Sequence, residues 1–248
     1  MSVESPEDII ALKKIGKIVA ETIHTMFAKM EAGMTTMELE AIGSSILESY
    51  GARSAPKLCY DYPHATMISV NEEVAHGSPS ERVLQDGDLV NIDVSAELDG
   101  YFADSGYSMP VGNNNKKANR LCRAGKEALE AALSVARDGR RIRDVETAVN
   151  KVARKHGFSV IQNLVGHGVG RHLHEAPENI PFWGNRRDER HFEEGTVLTL
   201  EPFLSTGPRY VRNTGQGLTV GTPPGNYTVQ YEHTIVITRG EPIILTAA

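Results

Sequence analysis

Apolar positions recur at helical spacing from the start of the chain. Ile9, Leu12, Ile15, Val19, Ile23, Met26 and Met30 fall three, four or seven residues apart. Ser5 precedes them as an N-cap, Pro6 takes the first helical position and Asp8 follows three residues after the serine, so a helix is predicted from there until Gly33 stops it. Thr35 and Glu38 form a second capping box, and Leu39, Ile42, Ile46 and Leu47 share one face of a helix predicted to run to Gly51. The period then shortens. Residues 66–70 and 89–98 read as strands, Asp99-Gly100 as a hairpin turn and 101–107 as the return strand. Asn113 to Asn115 make a polar break, followed by a long helix predicted to about Asp138 and stopped by Gly139.

The pattern after Gly139 repeats the pattern after Gly33. A shift of 139 − 33 = 106 positions carries Leu39 onto Val145, Glu40 onto Glu146, Ile46 onto Val152 and Gly51 onto Gly157. Two amphipathic helices that end in glycine also look alike by chance. The other reading is a duplicated α+β unit, with halves of about 1–112 and 113–240, a sheet from each half and a site between them. Further strands are predicted near 196–200, 217–220 and 228–238. Residues 180–194, with Trp183, Arg186, Arg187 and Asp188, and residues 222–226 read as surface loops.

Length narrows the architecture: 248 residues are many for one domain and few for two, which suits a single, internally duplicated domain over 1–248. Charge excludes a partner class. With 26 basic and 32 acidic side chains the chain carries a net charge of −6 and no basic block, which argues against nucleic-acid specificity. Cys59 and Cys122 lie far apart and predict neither a zinc knuckle nor a disulfide framework. Glu4, Glu7, Asp8, Lys13, Lys14 and Lys17 leave no apolar stretch for a signal peptide or membrane span, so a cytoplasmic, monomeric enzyme is expected.

Carboxylates appear where an apolar strand should not carry them. Asp93 interrupts Asn91-Ile92-Asp93-Val94, and Asp104 lies on the return strand 104 − 93 = 11 residues later, with the hairpin turn midway between them. Glu201 ends the run Val197-Leu198-Thr199-Leu200 before Pro202. Glu232 breaks a β-prone run in Gln230-Tyr231-Glu232-His233-Thr234. His167 sits between glycines in Gly166-His167-Gly168-Val169-Gly170-Arg171-His172-Leu173-His174, and His76 stands alone in Val74-Ala75-His76-Gly77. Each also has an ordinary reading: edge-strand aspartates, a solvated strand end, an exposed glycine-rich turn, a structural histidine. Together, four acids and a histidine suit a pair of divalent cations, whose charge of +4 would balance four carboxylates. Such pairs sit roughly 3.5–4 Å apart in aminopeptidases and phosphatases. Oxygen ligands with one nitrogen and no thiolate point to Mn, Fe, Co or Zn, and away from copper, iron–sulfur or a dedicated calcium loop.

These residues, in this order and spacing, resemble the ligand set of type I methionine aminopeptidase. The strings Ser69-Val70-Asn71-Glu72-Glu73-Val74-Ala75-His76-Gly77, Gly166 to Gly170 and Gln230 to Thr234 resemble the same family. The similarity runs from the first helix to about Thr238. It implies a pita-bread fold: two pseudo-symmetric α+β halves around a central antiparallel sheet, with helices outside. It also implies roles. Asp93 would hold one metal, His167 and Glu201 the other, and Asp104 and Glu232 would bridge both. Glu201 would shuttle a proton from water to the leaving amine, and the peptide amine would approach the metal held by Asp93. His174 would donate to the carbonyl oxygen, and His76 would hydrogen-bond the scissile amide nitrogen.

The side-chain pocket departs from the family pattern. Tyr62 keeps its aromatic ring, but Cys59 stands where an aromatic is usual, Met67 for a cysteine, Leu173 for a phenylalanine and Leu218 for a tryptophan. The expected walls, Tyr62, Cys59, Met67, Leu173 and Leu218, remain apolar but are differently shaped. The resemblance implies removal of the initiator methionine from nascent chains, at the ribosome, when the second residue is small. An Xaa-Pro aminopeptidase or prolidase would share fold and ligands but usually carries a large N-terminal domain. A non-catalytic pita-bread binding protein would typically have lost ligands.

Overall fold

The computed structural model describes residues 1–184 and 188–247. The first half runs α1 (Pro6–Lys29), α2 (Thr36–Ser49), β1 (Arg53–Ser54), α3 (Ala55–Tyr60), β2 (Met67–Val70), β3 (Glu73–Ala75), β4 (Leu89–Leu98) and β5 (Tyr101–Pro110). The second runs α4 (Lys116–Leu133), α5 (Ile142–His156), β6 (Ser159–Val160), β7 (Gly166–Gly168), β8 (Glu175–Ile180), β9 (Val197–Leu200), β10 (Phe203–Ser205), β11 (Arg212–Asn213), β12 (Val220–Gly221), β13 (Thr228–Gln230), β14 (His233–Val236) and β15 (Ile243–Ile244).

Local signals set the helix starts. Ser5 and Asp8 close a reciprocal capping box at α1, and Thr35 and Glu38 do the same at α2, each satisfying donors that the first turn leaves free. Gly157, in the left-handed region at φ 75, ends α5. The helix predicted to about Asp138 stops at Leu133 instead; Val135 and Ala136 continue as turns, and Ala136 packs into the core rather than extending the helix.

β1 pairs antiparallel with β4, and β6 pairs antiparallel with β10. In the first half β4 pairs with β5 along ten residues, from Leu89↔Pro110 to Leu98↔Tyr101. In the second half the corresponding hairpin is broken: β9 pairs with β14 and β10 with β13. The breaks fall at Glu201-Pro202 and at Tyr231-Glu232. The strand expected over 228–238 is therefore two strands, because Glu232 N–H leaves the β10 ladder and donates to the Gly106 carbonyl of β5, 2.9 Å away. The strand expected at 217–220 is reduced to Val220–Gly221, with Gly217 in a left-handed turn at φ 57.

Side chains knit the halves where the backbone ladders part. Thr234 Oγ1 accepts from Asp104 N–H at 2.9 Å and donates to the Asp104 carbonyl at 2.7 Å. Ser105 Oγ donates to the Glu232 carbonyl at 2.7 Å, and Ser108 Oγ bonds both ends of Gln230's backbone. The result is a central antiparallel layer crossing from β2, β4 and β5 to β14, β9 and β7. Each half buries its own core beneath its helices: Ile15, Val19, Ile23 and Leu39 against Ile68, Ile92 and Val94 in the first, and Leu121, Ala128, Val145 and Val149 against Leu198, Leu200 and Leu204 in the second. The helices thus cover the outside, and the inner face is free to hold polar groups.

Of the loop expected at 180–194, Arg186 and Arg187 lie outside the described residues. Within the remainder Asp188 is buried, not solvated, and holds Arg190 through Nη2 at 2.6 Å. Trp183 packs against the second core.

Candidate metal centre

Strand alternation sets the first two ligands. Asp93 opposes Gly106 and Ser95 opposes Asp104, so both aspartates point to one face as diagonal neighbours. Burial raises the Asp104 carboxyl, and the Asp93 charge acts directly on it and helps to raise it. Gly106 must lack a side chain, because a Cβ there would lie 2.5 Å from Gln230 Oε1. Gln230 enters this space and donates from Nε2 to Asp93 Oδ2 at 3.2 Å and to Glu232 Oε2 at 2.8 Å. Asn91 fixes the amide by donating to Gln230 Oε1 at 3.0 Å.

The flanking glycines of His167 are explained by close packing of β7. A Cβ at Gly166 would lie 2.5 Å from the Thr199 carbonyl, and one at Gly168 2.2 Å from the Ala176 carbonyl. His167 Nδ1 faces the Gly168 carbonyl at 3.0 Å, so that nitrogen carries the proton and Nε2 presents its lone pair to the cleft. Thr199 Oγ1 accepts from His167 N–H at 3.0 Å and donates to Glu201 Oε1 at 2.9 Å, tying two ligands to one hydroxyl. Glu201 and Glu232 occupy the two strand breaks, where a carboxylate can turn inward without a ladder bond.

The five predicted ligands meet in one cleft. His167 Nε2 lies 3.6 Å from Glu201 Oε1 and 3.8 Å from Asp104 Oδ2. Donor atoms of Asp104, His167 and Glu232 all fall within 4.8 Å of one another. These gaps are too long for hydrogen bonds but suit donors that share a cation at about 2.0–2.2 Å each. Asp104 Oδ1 and Glu232 Oε1 are buried without any hydrogen-bond partner, a costly arrangement that a cation would relieve. The residues present therefore fit divalent metal.

The electrostatics agree. Burial, then Asp93 and Glu201, hold the Asp104 carboxyl well above the usual range. Burial and Asp93 do the same to Glu201, and burial with Asp104, Glu201 and Asp93 to Glu232. Asp93, which borders the open cavity, is also raised by burial, against the lowering influence of His76 and Gln230. Burial, with His174 nearby, pushes His167 down to about 3, so it is a neutral donor throughout the working range.

Carboxyls raised above their unfolded values stabilise the fold at low pH, and that contribution is lost as pH rises through the folded values. Metal binding needs their ionised forms and offsets their crowding. The rise in Tm on adding Mn²⁺ to metal-free protein is therefore expected to be larger at pH 8 than at pH 5. Scanning calorimetry at the two pH values checks this, and an equal rise would contradict it.

A cavity of about 220 Å³ opens onto these carboxylates, with His76, His174, Met67, Leu173, Tyr60 and Phe203 among its walls. His76 is held in the left-handed region, at φ 58, and its carbonyl accepts from Thr219 Oγ1 at 3.1 Å. The next residue, Gly77, is pinned between Ser69 Oγ and Tyr62 Oη. The ring of His174 lies 3.9 Å from that of His167, centroid to centroid. A larger cavity, about 610 Å³, lies beside Ile142, Arg190 and Phe192 and contains none of the four acids and the histidine, so volume does not mark the chemistry.

Of the expected pocket walls, Met67 and Leu173 line this cavity, and Cys59, Tyr62 and Leu218 are not among its lining residues. Tyr62 donates its hydroxyl to the Gly77 carbonyl, Cys59 is exposed, and Leu218 is 42% exposed. Tyr60 and Phe203 take wall positions instead. The supporting residues Gln230, Asn91 and Thr199 were not singled out by sequence reasoning. Their signal was present: each is polar in an apolar strand and lies two residues from a ligand, on the same face.

An antiparallel sheet layered with helices, and a buried carboxylate cluster with one imidazole, define a metal-dependent hydrolase. Residues 11–239 match metallopeptidase family M24, and the chain belongs to that family. It is therefore a metal-dependent peptidase. It is 46% identical to methionine aminopeptidase 2 of Bacillus subtilis over 247 residues, covering 99% of each chain. The crystal structure of methionine aminopeptidase from Thermotoga maritima superposes with a TM-score of 0.94 at 34% identity, over 100% of both chains. Prolidase from Pyrococcus furiosus shares the fold, with a TM-score of 0.78 at 24% identity; 99% of this chain covers 65% of that one. The fold is the pita-bread fold.

Proposed function

We propose that this chain is a cytoplasmic methionine aminopeptidase that removes the initiator methionine from nascent proteins when the second residue is small. It works as one domain of two duplicated halves, about 1–112 and 113–240, as a monomer that meets its substrates at the ribosome. The observation that carries this reading is the joining, in one cleft, of carboxylates from both halves with His76, His174 and an apolar wall. Full-length likeness to methionine aminopeptidases supports it over the prolidase reading, which rests on fold alone. The filled ligand set counts against a non-catalytic role. No helix among the described residues is long and apolar enough to cross a membrane.

Asp93, Asp104, His167, Glu201 and Glu232 would hold a pair of divalent cations, Co, Mn, Fe or Zn. When bound, they supply Lewis acidity that makes water nucleophilic near neutral pH. The remaining work falls to side chains. Glu201, anchored through Oε1 by Thr199, takes the proton from the attacking water and passes it to the leaving amine. His174 donates to the carbonyl oxygen as negative charge develops there. His76 pairs with the scissile amide nitrogen from the other half of the fold. Met67, Leu173 and Phe203 give the methionine side chain an apolar wall.

Steady-state rates on a Met-X-Ser peptide series test the specificity. Small X (Gly, Ala, Ser) is expected to be fast and Leu slow. Equal rates for Ala and Leu would overturn the second-residue restriction, and equal rates for Met and Lys at the first position would overturn the pocket.

A further inference from the structure

Tyr60 is an aromatic residue on the wall of the cavity that holds the acids. Tyr60 is the last residue of α3, and the following residue, Asp61, adopts φ 52, with its N–H donating to the Pro56 carbonyl. This left-handed cap ends the helix and leaves the Tyr60 ring on the cavity wall. Its hydroxyl reaches His174 Nδ1 at 2.5 Å, with ring centroids 6.0 Å apart. The imidazole also lies against the His167 ring, with centroids 3.9 Å apart and planes tilted by 40°.

We infer that Tyr60 is a positioning residue, which fixes His174 as the tautomer protonated at Nε2 and turns that N–H toward the substrate carbonyl. The inference rests on the role given to His174 above. A neutral imidazole has one N–H and one acceptor nitrogen, and the bond made by one nitrogen decides the other. The phenol has a proton to give at neutral pH, since burial first, then Cys59 and Asp104, push it up to about 12. In the assignment inferred here that O–H is the donor to Nδ1, which leaves the ring's one proton on Nε2. Without the hydroxyl, the Nδ1–H tautomer competes and presents a lone pair, which cannot stabilise a developing oxyanion. His167 is fixed by the same logic in the opposite sense, since its Nδ1 donates to the Gly168 carbonyl.

The test compares wild type, Tyr60→Phe, His174→Ala and the double variant, each loaded with zinc, on Met-Ala-Ser. Tyr60→Phe keeps the ring on a half-exposed wall and removes only the hydroxyl. Its kcat is expected to fall about tenfold, in the range for outer partners of site histidines, with KM and metal content unchanged. The double variant is expected to be no slower than His174→Ala, because Tyr60 acts through that ring. Nitrogen-15 NMR of the imidazoles should show His174 Nδ1 without a proton in the wild type and partly protonated in Tyr60→Phe. A Tyr60→Phe enzyme with wild-type kcat and an unchanged His174 signal, alongside a slow His174→Ala, overturns the role of Tyr60 alone. A fast His174→Ala overturns both roles.

Discussion

Glu201→Gln is expected to lower kcat by roughly 10²–10⁴-fold, the usual worth of a positioned proton-transfer group. The substitution keeps the shape of the side chain and an oxygen that accepts from Thr199 Oγ1, which now lies 2.9 Å from Glu201 Oε1. It removes the capacity to take a proton. Glu201 lies at the break between β9 and β10, ahead of Pro202, so the exchange disturbs no ladder bond. Metal content, measured by elemental analysis in parallel, separates loss of the proton shuttle from loss of a ligand. A variant that retains metal and wild-type kcat would remove Glu201 from the chemistry.

His167→Ala is expected to lose a metal and, with it, nearly all activity. His167 Nε2 faces Glu201 and Asp104 from 3.6 and 3.8 Å, and it is the one nitrogen among the five proposed ligands. Its removal leaves the buried acids with less compensation, and their repulsion then opposes ionisation and metal together. His174→Ala should differ. It removes a donor to the developing oxyanion, worth roughly 10²–10³ in kcat, while the metals stay bound. Calorimetric titration of metal into the two variants distinguishes them. Metal loss in His174→Ala with full binding in His167→Ala would exchange the roles of the two histidines.

Much of this site was legible in the sequence because its ligands violate local pattern. Asp93 and Glu232 interrupt β-prone runs, and Gly166 and Gly168 mark a backbone pressed against its neighbours. The capping boxes at Ser5 and Thr35 fixed two helix starts for the same reason: the signal and its cause lie within four residues. What escaped depends on register and on contacts distant in sequence. The approach of Asp93 and Asp104 is diagonal, with Gly106 standing opposite Asp93, and pairing alone determines that. The break at Tyr231-Glu232 follows from a bond to Gly106, more than a hundred residues away. Gln230 stands out as a polar residue in an apolar strand, but that it bonds two acids and fits only because Gly106 lacks a Cβ depends on contacts distant in sequence. The pocket was read by matching positions to a family pattern, and of its five expected walls Met67 and Leu173 line the cavity over the acids, beside Tyr60 and Phe203.

The most direct test is the release of free methionine from Met-Ala-Ser by metal-free protein and by the same protein reloaded with divalent metal, with Ala-Pro as the competing substrate. Methionine release that appears only after reloading, and outpaces cleavage of Ala-Pro, is the expected result. Equal release without metal, or preferred cleavage of Ala-Pro, would contradict a metal-dependent methionine aminopeptidase.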